Sequence, residues 1–161
     1  MQTQGRFRDY FSFESMRDRN GELVCYHVTM IGTIEKDGVA RIRTDMGVNN
    51  DQTMAFGRIT IRGCDRKIQV LLKETNSRIY YHTYSPEEGA SDIISFVAKE
   101  WRAQEVYNFN EGDRVLIEGR AYIRHSENPD YKDELSITVT GQFLLGRRKR
   151  TVNNLVPQQE F

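Results

Sequence analysis

The sequence predicts an all-β domain closed into a small barrel, and three observations carry that expectation. Short alternating segments recur along the chain, turn signals separate them at close intervals, and only one stretch, Trp101 to Phe109, has clear helical spacing. A parallel α/β sheet needs a long helix between successive strands, and these segments leave no room for one.

Residues 1 to 22 are polar and charged around an aromatic cluster, Phe7, Tyr10, Phe11 and Phe13, and read as an N-terminal arm that docks on the domain or on a neighbouring subunit. Leu23 to Ile34 alternates as a strand and continues past Gly32. Lys36-Asp37-Gly38 is a turn signal, after which Val39, Arg41 and Arg43 alternate with Ala40, Ile42 and Thr44. Asn49-Asn50-Asp51 breaks the pattern again. Met54 to Arg62 then sets Arg58, Thr60 and Arg62 on the face opposite Ile59 and Ile61.

Lys67 to Lys73 and Arg78 to Tyr84 flank the polar segment ETNS and read as a β-hairpin. Ile93 to Ala98 is apolar and strand-like, and Trp101, Glu105 and Phe109 follow at helical spacing. Asn110-Glu111-Gly112-Asp113 stops that helix and turns the chain into Val115 to Arg124. Leu135 to Leu145 is a last long strand, and RRKR (147 to 150) leads into a tail without periodicity.

A helix set between late strands narrows the choice of barrel. In the five-stranded OB-fold the helix lies between the third and fourth strands. The helix here occupies that slot if residues 24 to 34, 54 to 62, 93 to 98, 115 to 124 and 135 to 145 are the five principal strands. The segments 39 to 46 and 67 to 84 are then β-hairpin extensions of the loops. The organisation expected is an arm (1 to 22), an OB-fold domain (23 to 146) and a flexible C-terminal tail (147 to 161).

Composition removes several function classes. No apolar run approaches the roughly 20 residues that span a bilayer, and the N-terminus has no signal-peptide apolar segment, so a soluble cytoplasmic protein is expected. Cys25 and Cys64 lack the paired spacing of a zinc or redox motif, and His27, His82 and His125 are scattered. The sequence has no Gly-rich phosphate loop, HExxH, Cys-x-x-Cys or nucleophile elbow. The expectation is therefore a non-enzyme without metal or cofactor.

The formal net charge is zero, with 23 basic and 23 acidic side chains, yet the charges are segregated. Between Phe56 and His82, Arg58, Arg62, Arg66, Lys67, Lys73 and Arg78 outweigh Asp65 and Glu74, and from Ser85 to Asp113 the balance reverses. A neutral chain arranged in this way can present one basic face.

A family resemblance rests on FVAKEWRAQEVYNFNEGDRVLIEGRAYIR, with CYHVTMIGTIEKDG and MAFGRITIRG upstream. The first segment resembles bacterial and phage single-stranded DNA-binding proteins, in which a strand ends near a Lys, a helix follows, and a Gly-Asp turn opens a hydrophobic strand ending in EGR. The other two resemble that family's first and second strands. The resemblance implies an OB-fold, single-stranded DNA as partner, and a homo-oligomer, dimer or tetramer. Many bacterial members recruit replication and repair proteins through an acidic tail closed by Pro-Phe. Here the chain ends VPQQEF with Glu160 as its only acid, which weakens that expectation.

A sequence-tolerant binder of single strands needs aromatic platforms alternating with cations along a groove. Arg58 and Arg62, Lys67 and Lys73, Tyr80, Tyr81 and Tyr84, Phe96, and Arg120, Tyr122 and Arg124 supply both ingredients. The last three share one face by the period-two rule and form the sharpest local signal. Alternating Arg and Tyr is also the ordinary solvated face of a sheet, and the tyrosine cluster equally suits a dimer interface. Trp101 reads as a core cap rather than a platform. Two further readings stay open: an OB-like protein-interaction module of a replication or transfer complex, and a single-stranded RNA binder.

Overall fold

A computed structural model describes residues 8 to 36, 41 to 75, 83 to 84, 91 to 124 and 134 to 148. Its elements run β1 (Tyr10–Arg17), β2 (Leu23–Ile34), β3 (Arg41–Met46), β4 (Gln52–Arg62), α1 (Asp65–Glu74), β5 (Thr83–Tyr84), β6 (Ser91–Lys99), α2 (Trp101–Tyr107), β7 (Arg114–Arg124) and β8 (Glu134–Gly146).

Five strands close on one another. β2 pairs with β7, β7 with β8, β4 with β6 and β2 with β4, all antiparallel, while β6 meets β8 in parallel through Ser95, Phe96 and Val97. Taken as strands one to five, β2, β4, β6, β7 and β8 give the circuit 1-2-3-5-4-1, with α2 between the third and fourth. This is the OB-fold, and the five strands are those expected from the alternation. β3 forms the expected hairpin with β4.

Alternation decides which side chains enter the barrel. Val28, Met30 and Ile34 of β2, Ala55, Ile59 and Ile61 of β4, Ile94 and Phe96 of β6, Val115 and Ile117 of β7, and Ile137 and Val139 of β8 are buried together. α2 closes one end with Ala103 and Val106, and Phe109 follows them into the core.

The β2–β4 seam is only two residue pairs long, Thr33 with Thr60 and Ile34 with Ile59. Beyond it the two strands diverge, and β1 takes over the same edge of β2 from Tyr10 opposite Ile31 to Arg17 opposite Leu23. The expected arm therefore supplies a strand, and its Phe11 sits in the core beside Met30. At the point of divergence, a Cβ on Gly32 would collide with the carbonyl oxygen of Thr60.

The hairpin expected over 67 to 84 is overturned in its first half. Lys67 to Lys73 lies inside α1, a helix that buries Ile68, Leu71 and Leu72 at i, i+3 and i+4 while Val70 stays outside. Asp65 in its first turn and Lys73 in its last complement the helix dipole. The described part of the chain thus has two helices, not one. In the second half, Thr83–Tyr84 forms the short strand β5 against Asp92 and Ser91, and residues 76 to 82 lie outside the described set.

Candidate nucleic-acid interface

The outer face of the second and third barrel strands is where OB-folds receive oligonucleotides. On β4 that face carries Phe56, Arg58, Thr60 and Arg62, alternating with the buried Ala55, Ile59 and Ile61. Across the ladder on β6 stand Val97 opposite Phe56, Ser95 opposite Arg58 and Ile93 opposite Thr60, with Lys99 opposite Met54. Phe56 is 37% exposed, and Arg58, Arg62 and Lys99 are exposed. Neither guanidinium of the row has an ion-pair partner among the described residues.

Other arginines are already committed. Arg43 holds Asp45 at 3.2 Å, and that hydrogen bond keeps the Asp45 carboxyl below the usual range. Arg114 donates to Asp9 at 2.6 Å and to the Arg8 carbonyl at 2.6 Å. Arg147 and Arg148 of the RRKR run bind Asp113 at 2.8 Å and Glu111 at 3.3 Å. A cation held by a carboxylate has less to offer a phosphate, so Arg58 and Arg62 are the better phosphate ligands.

At its Arg62 end the row opens into a cleft of about 930 Å³, whose charged lining is Arg8, Lys36, Arg62, Arg114 and Arg148 against Asp9, Glu35 and Glu111. Asp9 fixes this end by accepting the backbone N–H of Arg62 at 2.8 Å. Glu35 donates its N–H to the Arg58 carbonyl at 3.0 Å and accepts the Thr60 hydroxyl at 2.5 Å. The backbone beneath the row is thus held from the β2 end and from the segment before β1.

The structure divides the remaining sequence-expected residues. Arg120 and Tyr122 project outward from β7, and Tyr122 is 57% exposed. Among the described strands β7 is bonded to β2 and β8 alone, so this pair is separated from β4 by β2 and from β6 by β8. The two clusters do not form one flat groove. Arg124 pairs with Glu134 at the end of β7, and the structure does not describe its side chain.

Lys67 and Lys73 are exposed on α1, where the Lys67 ammonium lies 5.8 Å from the centroid of Tyr10. Tyr80 and Tyr81 fall outside the described residues, and Tyr84 is described only as part of the β5 backbone. Phe96 is corrected: it points into the barrel and is 1% exposed, so no base can reach its ring. The parity of β6 dictates this, since Ile94, Phe96 and Ala98 face inward together.

Sequence reasoning passed over Phe56 and Lys99. The signal was present, because Phe56 shares its parity with Arg58 and Arg62 and so shares their face. Trp101 is likewise corrected from core cap to surface residue, at 61% exposure. Among the described residues no three His, Cys, Asp or Glu side chains cluster to hold a metal. Burial, with the Asp9 carboxylate adding to it, pushes the Cys64 thiol above its usual range, the wrong direction for a nucleophile.

No family model and no curated protein matches the sequence. Among solved structures the chain is similar to the SSB domain of a protein from Synechococcus sp., with 16% identity and a TM-score of 0.46 over 72% of this chain and 91% of that one. It is also similar to a small single-stranded DNA-binding protein from Streptomyces coelicolor, with 13% identity and a TM-score of 0.44 over 73% of this chain and 90% of that one.

Proposed function

We propose that this protein binds single-stranded DNA without strong sequence preference, in replication, recombination or repair or on a phage or mobile element. The observation that supports this most is the outward row of β4, where Phe56 shares a face with Arg58 and Arg62, two arginines that no described carboxylate pairs with. A base stacks on the aromatic ring, and Arg58 and Arg62, farther along the same row, displace counterions from the phosphates that follow. Turnover is not needed for this, and the protein acts by holding the strand. Arg120, Tyr122 and Arg124 on β7, with Lys67 and Lys73 on α1, extend the contact only if the strand bends around the barrel.

A homo-oligomer belongs to the same reading, and one feature also favours an interaction module. A single register line on the outer sheet face joins Tyr10, Ile31, Leu116 and Phe143 across β1, β2, β7 and β8. Solvated sheet faces normally alternate toward polar residues, so an apolar line of this length suits burial against protein.

Titration with fluorescently labelled oligo-dT, oligo-rU and a duplex at two salt concentrations decides between the readings. Binding to oligo-dT that exceeds duplex binding and weakens steeply with salt supports the proposal. Equal or tighter binding of oligo-rU redirects it to RNA. Absence of binding at low salt overturns it in favour of the interaction module.

A further inference from the structure

We propose that Trp101 is a base-stacking platform at the α2 end of the β4/β6 face, opposite the Arg62 end; this rests on the single-strand reading above. Three observations converge on it. The chain's one tryptophan is 61% exposed, although tryptophan is among the side chains that gain most from burial. The residue before it, Glu100, has φ 54° and ψ −126°, a conformation that L residues rarely adopt. The guanidinium carbon of Arg102 lies 4.3 Å from the ring centroid.

The backbone shows what the unusual Glu100 conformation achieves. Glu100 donates its N–H to the Thr53 carbonyl at 2.7 Å, which ties it to β4, and its own carbonyl accepts the N–H of Ala103 at 2.9 Å, which starts the helix. With the helix begun in this phase, Ala103 and Val106 face the core and Trp101 is left outside. Trp101 follows the exposed Lys99 by two residues, and Lys99 is itself one outward step beyond the Val97–Phe56 pair. Phe56 and Lys99 thus share the outward face of the β4/β6 ladder, and with α2 starting just beyond Lys99, Trp101 would add a second aromatic past the cation, the alternation a single strand requires.

Arg102 holds one side of this platform. Its guanidinium is anchored by the side-chain oxygen of the buried Gln142 at 3.0 Å, which keeps it over the indole. An anchored guanidinium on one ring face preorganises the indole and leaves the other face to a nucleobase.

The test uses the full chain and oligo-dT. Binding is followed by anisotropy of a labelled oligonucleotide and, in parallel, the emission of Trp101 is followed with unlabelled oligo-dT. The expected result is Trp101 quenching that saturates at the same concentration as the anisotropy change. Trp101→Ala should weaken binding about 5- to 150-fold, the range for one lost stack, with the salt slope unchanged because no cation is removed. Trp101→Phe should recover part of that loss, which a merely structural role would not require. Normal oligo-dT binding without quenching, and with Trp101→Ala neutral, overturns the inference while leaving the single-strand reading intact. A Trp101→Ala variant that changes oligomeric state by sedimentation but keeps its affinity overturns it in favour of a subunit contact. Absence of any anisotropy change overturns both.

Discussion

Gly57 and Phe96 face each other across β4 and β6 inside the barrel, and the Phe96 ring lies 2.5 Å from where a Cβ on Gly57 would stand. The missing side chain of one residue is the space occupied by the other. This pair ties the candidate interface to the core, because Phe56 and Arg58 flank Gly57 and point to the opposite side.

Gly57→Ala should therefore destabilise the protein by about 1 to 3 kcal/mol through overpacking, and Phe96→Ala by about 3 to 5 kcal/mol through the cavity it leaves. Urea unfolding at neutral pH checks both values. Phe96→Leu, which keeps most of the volume, should bind oligo-dT like the wild type, in contrast to any variant that removes a stacking ring.

Asp113 is the anchor of the turn before β7. Its buried carboxylate accepts the backbone N–H of Asn110 at 2.8 Å, the backbone N–H of Arg148 at 3.3 Å and the guanidinium of Arg147 at 2.8 Å. Asp113→Ala should cost about 2 to 3 kcal/mol, since it leaves backbone donors without partners. Arg147→Ala should cost about 1 kcal/mol or less, because that side chain is half-exposed and the carboxylate keeps its backbone donors. Reversal of this order in denaturant unfolding would contradict the assignment.

Removing Arg58 and Arg62 together should weaken oligo-dT binding and reduce the slope of log affinity against log salt by about 1.4, or about 0.7 for each lost contact to a single strand. The double change Arg120→Ala, Arg124→Ala should lower the slope less, because β2 and β8 separate β7 from the row on β4. Anisotropy titrations at several salt concentrations measure both. A larger effect from the β7 pair would place the main contact on that side of the barrel.

Cys64 offers a pH-dependent check on the segment joining β4 to α1. Burial and the nearby Asp9 carboxylate favour its neutral thiol, so the folded state holds that proton to a higher pH than the unfolded chain does. The resulting stability is fully present below the ordinary thiol value of 9.0 and is lost as pH rises through the folded-state value. Alkylation of Cys64 with iodoacetamide should be slow near neutrality, and its midpoint should lie above that of the unfolded chain. A midpoint below 9.0 would contradict the packing described for this thiol.

The barrel was legible because its evidence is local. Each of the five strands declares an inward face by alternation, and the Gly112-Asp113 turn between α2 and β7 carries its own chemistry. The segment after β4 was misread because KIQVLLK satisfies both periods over seven residues. Burial of Ile68, Leu71 and Leu72 selects the helix, and that burial depends on β1 and the common core, which no short window contains. Phe96 and Trp101 exchanged roles for a related reason. Phe96 sits at an inward parity of β6, whereas Trp101 lies off the face through which α2 buries Ala103 and Val106, a helix phase that residue types do not disclose. Which arginines are neutralised was also hidden, since Arg114 meets Asp9 across 105 residues.

Amide chemical-shift mapping with oligo-dT tests the central claim most directly. The account predicts perturbations concentrated on Phe56 to Arg62 of β4 and Ser95 to Lys99 of β6, decreasing as salt is raised. Perturbations confined to the Tyr10, Ile31, Leu116 and Phe143 line, or none at low salt, would contradict it.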